Sequence, residues 1–124
     1  MKGLAIVAAL LLVGMNASSA MACDFDSLSS TVDDAAHALK RVANETDLSS
    51  AQFEAGRAKR RLSDAEDSAN DCECSNASSD FGSARRQMGD AEYENDPAAF
   101  SELLATAIRR FNSAVDAMNN GDCG

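Results

Sequence analysis

Four cysteines are the residues of this sequence best suited to chemistry. Cys72 and Cys74 flank a single residue, and two thiolates at this spacing suit a soft metal such as Cu(I) or Zn²⁺, or a thiol-redox pair. Cys23 and Cys123 supply a partner for each, at an equal separation of 49 residues on either side. In an oxidising compartment we therefore predict two structural disulfides, with a metal or redox site at Cys72 and Cys74 as the alternative.

Other residue types that carry catalysis or hold cofactors are scarce. His37 is the single histidine, which excludes a multi-histidine metal site within one chain. The sequence contains no Gly-rich phosphate loop, no nucleophile elbow and no His-Glu-x-x-His zinc motif. The acidic run 90–96 lacks the glycine and final glutamate of a calcium-binding EF-hand, so we interpret it as a solvated helix end. We expect no enzyme activity, no catalytic residue and no cofactor.

The charge of the chain narrows the class of partner. Its 124 residues carry a formal net charge of −9, and the isoelectric point is about 4.4. Nucleic acid and anionic membrane surfaces both attract a net cationic face. The composition therefore argues against either as the main partner and leaves a protein as the expected one.

The N-terminal segment has the three parts of a secretory signal peptide. Lys2 supplies a positive charge, residues 4–13 are almost continuously apolar, and the small residues Ala20 and Ala22 precede Cys23. The apolar run is too short to span a bilayer, and no second one follows. We predict that residues 1–22 are cleaved and that 23–124 is a single domain in the periplasm or outside the cell. Acylation of Cys23 as a lipoprotein is the alternative.

The remaining sequence resembles itself when it is shifted by 49 residues. The shift superimposes the cysteine pairs and places Arg60-Arg61 on Arg109-Arg110. It also matches several alanines and aspartates around these arginines. Such self-similarity is the signature of an internal repeat. We predict two repeats, at about 23–72 and 74–123.

Each repeat carries two stretches in which apolar residues recur at intervals of three and four. This spacing places them on one side of an α-helix, and no stretch alternates as a strand does. Polar breaks separate the stretches, and Asp47 and Asp96-Pro97 are typical of helix starts. We predict helices at about 25–44, 48–71, 77–94 and 97–119. The four stripes are Phe25, Leu28, Val32, Ala35, Leu39 and Val42; Ala51, Ala55, Ala58, Leu62, Ala65 and Ala69; Ala77, Phe81, Ala84, Met88 and Ala91; and Phe100, Leu104, Ala107, Phe111, Ala114 and Met118.

These elements predict an all-α, up-down-up-down four-helix bundle built from a duplicated helical hairpin. That topology brings all four cysteines to one end, where Cys23–Cys72 and Cys74–Cys123 would each close one hairpin. The pairing of Cys23 with Cys74 and of Cys72 with Cys123 is the first alternative. The second is a long two-helix rod, in which Cys72 and Cys74 lie at the opposite end from Cys23 and Cys123.

The absence of catalytic motifs and the compact helical plan favour a protein-binding or structural module. The basic pairs along the helices are expected to flank the core with their stems while their charged ends reach water or neighbouring carboxylates. A second apolar stripe on the last helix either extends the core or forms a homodimer face. That stripe consists of Leu103, Ile108 and Val115.

Overall fold

A computed structural model describes residues 23–123, which form four α-helices and no strand. The helices are α1 (Phe25–Asn44), α2 (Leu48–Asp71), α3 (Ser75–Ala91) and α4 (Pro97–Asn119). The all-α bundle is therefore confirmed. The predicted signal peptide, residues 1–22, lies outside the described residues, and so does the side chain of Phe25.

Aspartates begin three of the helices, and the sequence predicted two of them, Asp47 and Asp96. Asp24 accepts a hydrogen bond from the Ser27 N–H at 3.3 Å, and Asp47 accepts one from the Ser50 N–H at 3.0 Å. Each bond satisfies a backbone donor that has no partner inside the helix. Asp96 precedes Pro97 at the first helical position, but its side chain makes no capping bond.

The third helix is the one whose bounds were predicted wrongly, since we expected 77–94. It begins two residues earlier, immediately after the Cys74 disulfide, and ends at Ala91, its last buried residue. Beyond Ala91 the backbone tightens, because the Tyr93 N–H donates to the Asp90 carbonyl and the Glu94 N–H to the Ala91 carbonyl. The helix stops where its apolar stripe stops.

The predicted stripes meet in one core. The largest fully buried side chains include Phe81 and Phe111, whose ring centroids lie 5.7 Å apart with a tilt of 52°. Close packing links α1 to α2, α2 to α3 and α3 to α4, whereas α1 and α4 approach closely at few positions. Ile108 and Val115 are buried on α4 and Leu103 is half-buried. The second stripe of α4 therefore extends the core.

Both disulfides lie at one end of the bundle, which we call the cysteine pole. They join Cys23 to Cys72 and Cys74 to Cys123, with Cα–Cα distances of 4.9 and 4.2 Å. Each bond closes one hairpin, α1–α2 or α3–α4, so the predicted pairing is confirmed and the alternative pairing does not form. The two-helix rod is excluded because it would separate Cys23 from Cys72.

Two glutamate contacts connect the hairpins across the α2–α3 interface. Glu92 lies over Gly56 of α2, and its Oε1 accepts from Lys59 Nζ at 3.0 Å. Glu66 lies over Gly82 of α3, and its Oε1 accepts from Arg85 Nε at 2.7 Å. A Cβ at either glycine would collide with the glutamate carboxylate. Because Gly56 and Gly82 have no side chain, there is room for two ion pairs between the hairpins.

The turn between the hairpins contains a strained residue. Glu73 has φ of 58°, in the left-handed region, and it closes α2 with the same pair of backbone hydrogen bonds that Gly121 (φ 69°) uses to close α4. The left-handed conformation costs a non-glycine residue about 1–2 kcal/mol. A glycine avoids this cost, but it also increases the entropy of the unfolded chain, which offsets part of the gain in stability. We expect Glu73→Gly to raise the free energy of unfolding by about 0.5–1 kcal/mol.

Urea unfolding with the disulfides intact measures this effect. Gly121→Ala is the matched control at the other turn, and we expect it to lower the free energy of unfolding by about 1 kcal/mol. A loss of stability in Glu73→Gly would show that the Glu73 side chain stabilises the turn more than its backbone strain destabilises it.

Candidate functional site

The four cysteines, which are the first candidates for chemistry in the sequence, form two disulfides with one another. Cys74 is fully buried and Cys72 is 6% exposed, and each shares its sulfur with a cysteine beside another helix end. No free cysteine is present among residues 23–123. Neither sulfur of the Cys-Glu-Cys sequence is thus a thiolate in this state, and metal or redox use of Cys72 and Cys74 would require a disulfide to open.

The other residues considered for chemistry lie apart from one another. His37 is exposed on α1. In the acidic run, Glu92 pairs with Lys59, and the Glu94 carboxylate accepts from the Asp96 N–H. Within the described chain, no three His, Cys, Asp or Glu side chains are grouped so as to hold a metal ion.

The most distinctive surface is the outer face of α2. Phe53 is 66% exposed, the Arg57 guanidinium carbon lies 5.9 Å from the Phe53 ring centroid, and Arg57 also pairs with Glu54 at 3.7 Å. An open groove of about 500 Å³ runs beside the ring. Its lining, which we call the α2 patch, consists of Phe53, Arg57, Arg60, Arg61, Ser63 and Asp64.

The helical repeat explains why these residues share a face. Positions 53, 57, 60, 61 and 64 recur at intervals of three and four, so they lie on one side of α2. The buried alanine stripe of α2 occupies the opposite side and packs against α1 and α3. The α2 patch therefore projects from a rigid, packed helix.

An exposed phenylalanine beside arginines is an arrangement typical of protein-binding surfaces. The positive guanidinium over the ring face is a cation–π contact that holds both side chains in place at a surface. Aromatic residues and arginine are also the types enriched where protein interfaces concentrate their binding energy. The arrangement suits a partner that offers carboxylates to the arginines and an apolar group to Phe53.

Among residues 23–123, the other exposed aromatic side chain and two further grooves lack this combination. Tyr93 is 77% exposed, but it follows α3 between two glutamates. A polar groove of about 360 Å³ between α3 and α4 is lined almost entirely by oxygen- and amide-bearing side chains: Asn76, Ser79, Asp80, Ser113, Asp116, Asn120 and Asp122, together with Ala117. A third groove of about 420 Å³ contains the half-buried Leu103 among three carboxylates. Neither groove places a cation beside an aromatic ring.

Charge is distributed very unevenly along the bundle. The half nearest the cysteine pole comprises residues 23–36, 62–84 and 111–123, and it holds twelve Asp and Glu residues and no Lys or Arg. The other half, 37–61 and 85–110, holds eight acidic and ten basic residues. The α2 patch lies at the boundary, where its arginines are part of the cationic half.

Helical periodicity does not predict a role for Phe53, because this residue lies outside the apolar stripe of α2. The available signal was a phenylalanine off the alanine stripe of its helix, with an arginine four residues later on the same face. The basic pairs were interpreted correctly in part: Lys59, Arg85 and Arg110 pair with carboxylates of neighbouring helices.

The sequence matches no protein-family model, and no curated protein or solved structure is significantly similar to it. None of the described helices is long and apolar enough to cross a membrane.

Proposed function

We propose that this protein is a small secreted module that binds another protein through the α2 patch and performs no catalysis of its own. The observation that carries the proposal is the exposed ring of Phe53, held by Arg57 at the edge of a groove with two further arginines. Aromatic residues and arginine are enriched among the residues that supply most of the binding energy of protein interfaces.

The chemistry of the α2 patch specifies the class of partner. Arg57, Arg60 and Arg61 offer planar donors that pair with carboxylates in two-point contacts, and Phe53 offers an apolar surface next to them. The partner is therefore an acidic protein segment that also presents an apolar side chain. The twelve carboxylates of the half nearest the cysteine pole repel extended polyanions, which disfavours nucleic acid and anionic membranes.

The disulfides and the N-terminal segment support the proposed location in the periplasm or outside the cell. Two disulfides persist where thiols are oxidised, in the periplasm or outside the cell. A secretory signal at residues 1–22 would deliver the chain there. We accordingly place the binding partner in the cell envelope or the extracellular medium.

Site-specific photo-crosslinking tests this function in the native compartment. A photoreactive amino acid at Ser63, which lines the groove, should crosslink one discrete partner, and the same probe at Glu102 of α4 should not. Phe53→Ala and Arg60→Glu should each reduce the Ser63 crosslink at least about tenfold, as expected for residues that supply interface energy. The crosslinked peptide of the partner should be rich in Asp and Glu.

Two outcomes would contradict the proposal. One is a Ser63 crosslink that persists unchanged in Phe53→Ala. The other is equal crosslinking from Ser63 and Glu102, which would indicate contact without a preferred face. Unchanged urea midpoints for the two variants would establish that any loss comes from the surface rather than from unfolding.

A further inference from the structure

No disulfide joins the two hairpins to each other. Cys23–Cys72 closes α1–α2, and Cys74–Cys123 closes α3–α4, so no disulfide crosses between them. The backbone connects the hairpins through one residue, Glu73, whose neighbours on both sides are bonded cysteines. The two hairpins can therefore separate from each other while both disulfides stay intact.

Every contact between the hairpins is noncovalent and can be supplied by a second copy. At the α2–α3 interface these contacts include the Lys59–Glu92 and Arg85–Glu66 ion pairs. When a hairpin of one chain packs on the complementary hairpin of another, the same surfaces are buried and the same ion pairs form. Exchange therefore changes the linker and leaves the core unaltered.

The linker is where the single-chain arrangement is strained. Glu73 is the one non-glycine residue of the described chain with positive φ, and the sharp turn at 72–74 requires it. An extended linker would release that conformation. Short, strained hinges are the places where chains exchange elements with their copies.

We infer that this chain forms a two-fold dimer by exchanging hairpins about Glu73, with α1–α2 of one copy packed on α3–α4 of the other. Because the linker lies at the cysteine pole, opening it places the cysteine poles of the two resulting bundles next to each other. The half of each bundle nearest its cysteine pole holds twelve carboxylates and no Lys or Arg, and two of the twelve, Glu66 and Asp80, pair with arginines of the other half. Repulsion between the poles therefore opposes exchange, and salt relieves it.

Salt-dependent association is the first test. Wild-type protein, produced from the full chain and exported, is unfolded in guanidinium with its disulfides intact and refolded at high concentration. Sedimentation should show a dimer fraction several-fold larger near 1 M salt than near 0.01 M, since the screening length falls from about 30 Å to about 3 Å. Glu73→Gly, which removes the strain, should reduce the dimer fraction, and deletion of Glu73 should produce dimers at both salt concentrations.

A native ion pair distinguishes exchange from side-by-side association. Lys59 Nζ lies 3.0 Å from Glu92 Oε1, on the other hairpin, so a carbodiimide can join them directly. After equal amounts of ¹⁵N-labelled and unlabelled wild-type protein are refolded together, the dimer fraction should yield Lys59–Glu92 crosslinked peptides with one labelled and one unlabelled half. The monomer fraction should yield only peptides whose halves match.

Two results would overturn the inference. One is a wild-type protein that stays monomeric at both salt concentrations, whether or not the deletion variant folds. The other is a dimer in which the two halves of every Lys59–Glu92 peptide carry the same label. The experiment is independent of the α2 patch, and an exchanged dimer would carry two such patches and so bind a multivalent partner with higher avidity.

Discussion

Truncation of Phe111 to alanine is expected to lower the free energy of unfolding by about 3–5 kcal/mol. The ring is fully buried on α4 and packs on Phe81 of α3, 5.7 Å between centroids. Its removal loses the free energy of transferring the ring from water to the core and leaves a cavity. The cavity remains largely open, because two disulfides restrict the movement of the helices around it. Since domains of this size are stable by about 5–15 kcal/mol, the loss takes a large share of the total.

Phe53→Ala is the matched control for this measurement. The same substitution at a ring that is 66% exposed should change the free energy of unfolding by about 0.5 kcal/mol or less. Urea unfolding with equal slopes for both variants provides the comparison. Similar losses in the two variants would mean that Phe53 is a structural residue, and the binding role of the α2 patch would lose its main support.

The helices were predictable because the burial pattern is periodic and nearly uninterrupted. Every apolar position of the four stripes whose side chain the structure describes is buried, from Leu28 on α1 to Met118 on α4. The cysteine spacing then restricted the topology, since equal separations of 49 residues suit two antiparallel hairpins that meet at one end. Periodicity and chain length were sufficient for these features, because both are properties of the sequence alone.

Features that depend on contacts between helices or on side-chain rotamers could not be obtained this way. The end of α3 is one example: Glu92 leaves the helix to lie over Gly56 and pair with Lys59 of α2, a contact that the local sequence of α3 does not encode. The α2 patch is another. Its spacing along the helix was available, but the placement of Arg57 on the Phe53 ring depends on side-chain rotamers.

The disulfides and the charge distribution belong to the same physical argument. Carboxylates in excess of nearby cations repel one another and destabilise the compact state. The half nearest the cysteine pole holds twelve carboxylates, two of which, Glu66 and Asp80, pair with arginines of the other half. Asp24 and Asp71 line one small pocket together with Cys23 and Cys72. The covalent bond thus holds two helix ends together at a place where their charges favour separation.

Replacing Cys23 and Cys72 by serine together is therefore expected to cost about 4 kcal/mol, the loop-closure value for a separation of 49 residues. The double variant avoids leaving an unpaired thiol. The loss should be larger at low salt than at high salt, because repulsion between the freed ends of α1 and α2 is then unscreened. Urea unfolding at both salt concentrations measures it, and the wild-type protein should titrate with no free thiol. A cost of less than about 1 kcal/mol, or one that does not change with salt, would show that packing holds the cysteine pole together without its covalent bonds.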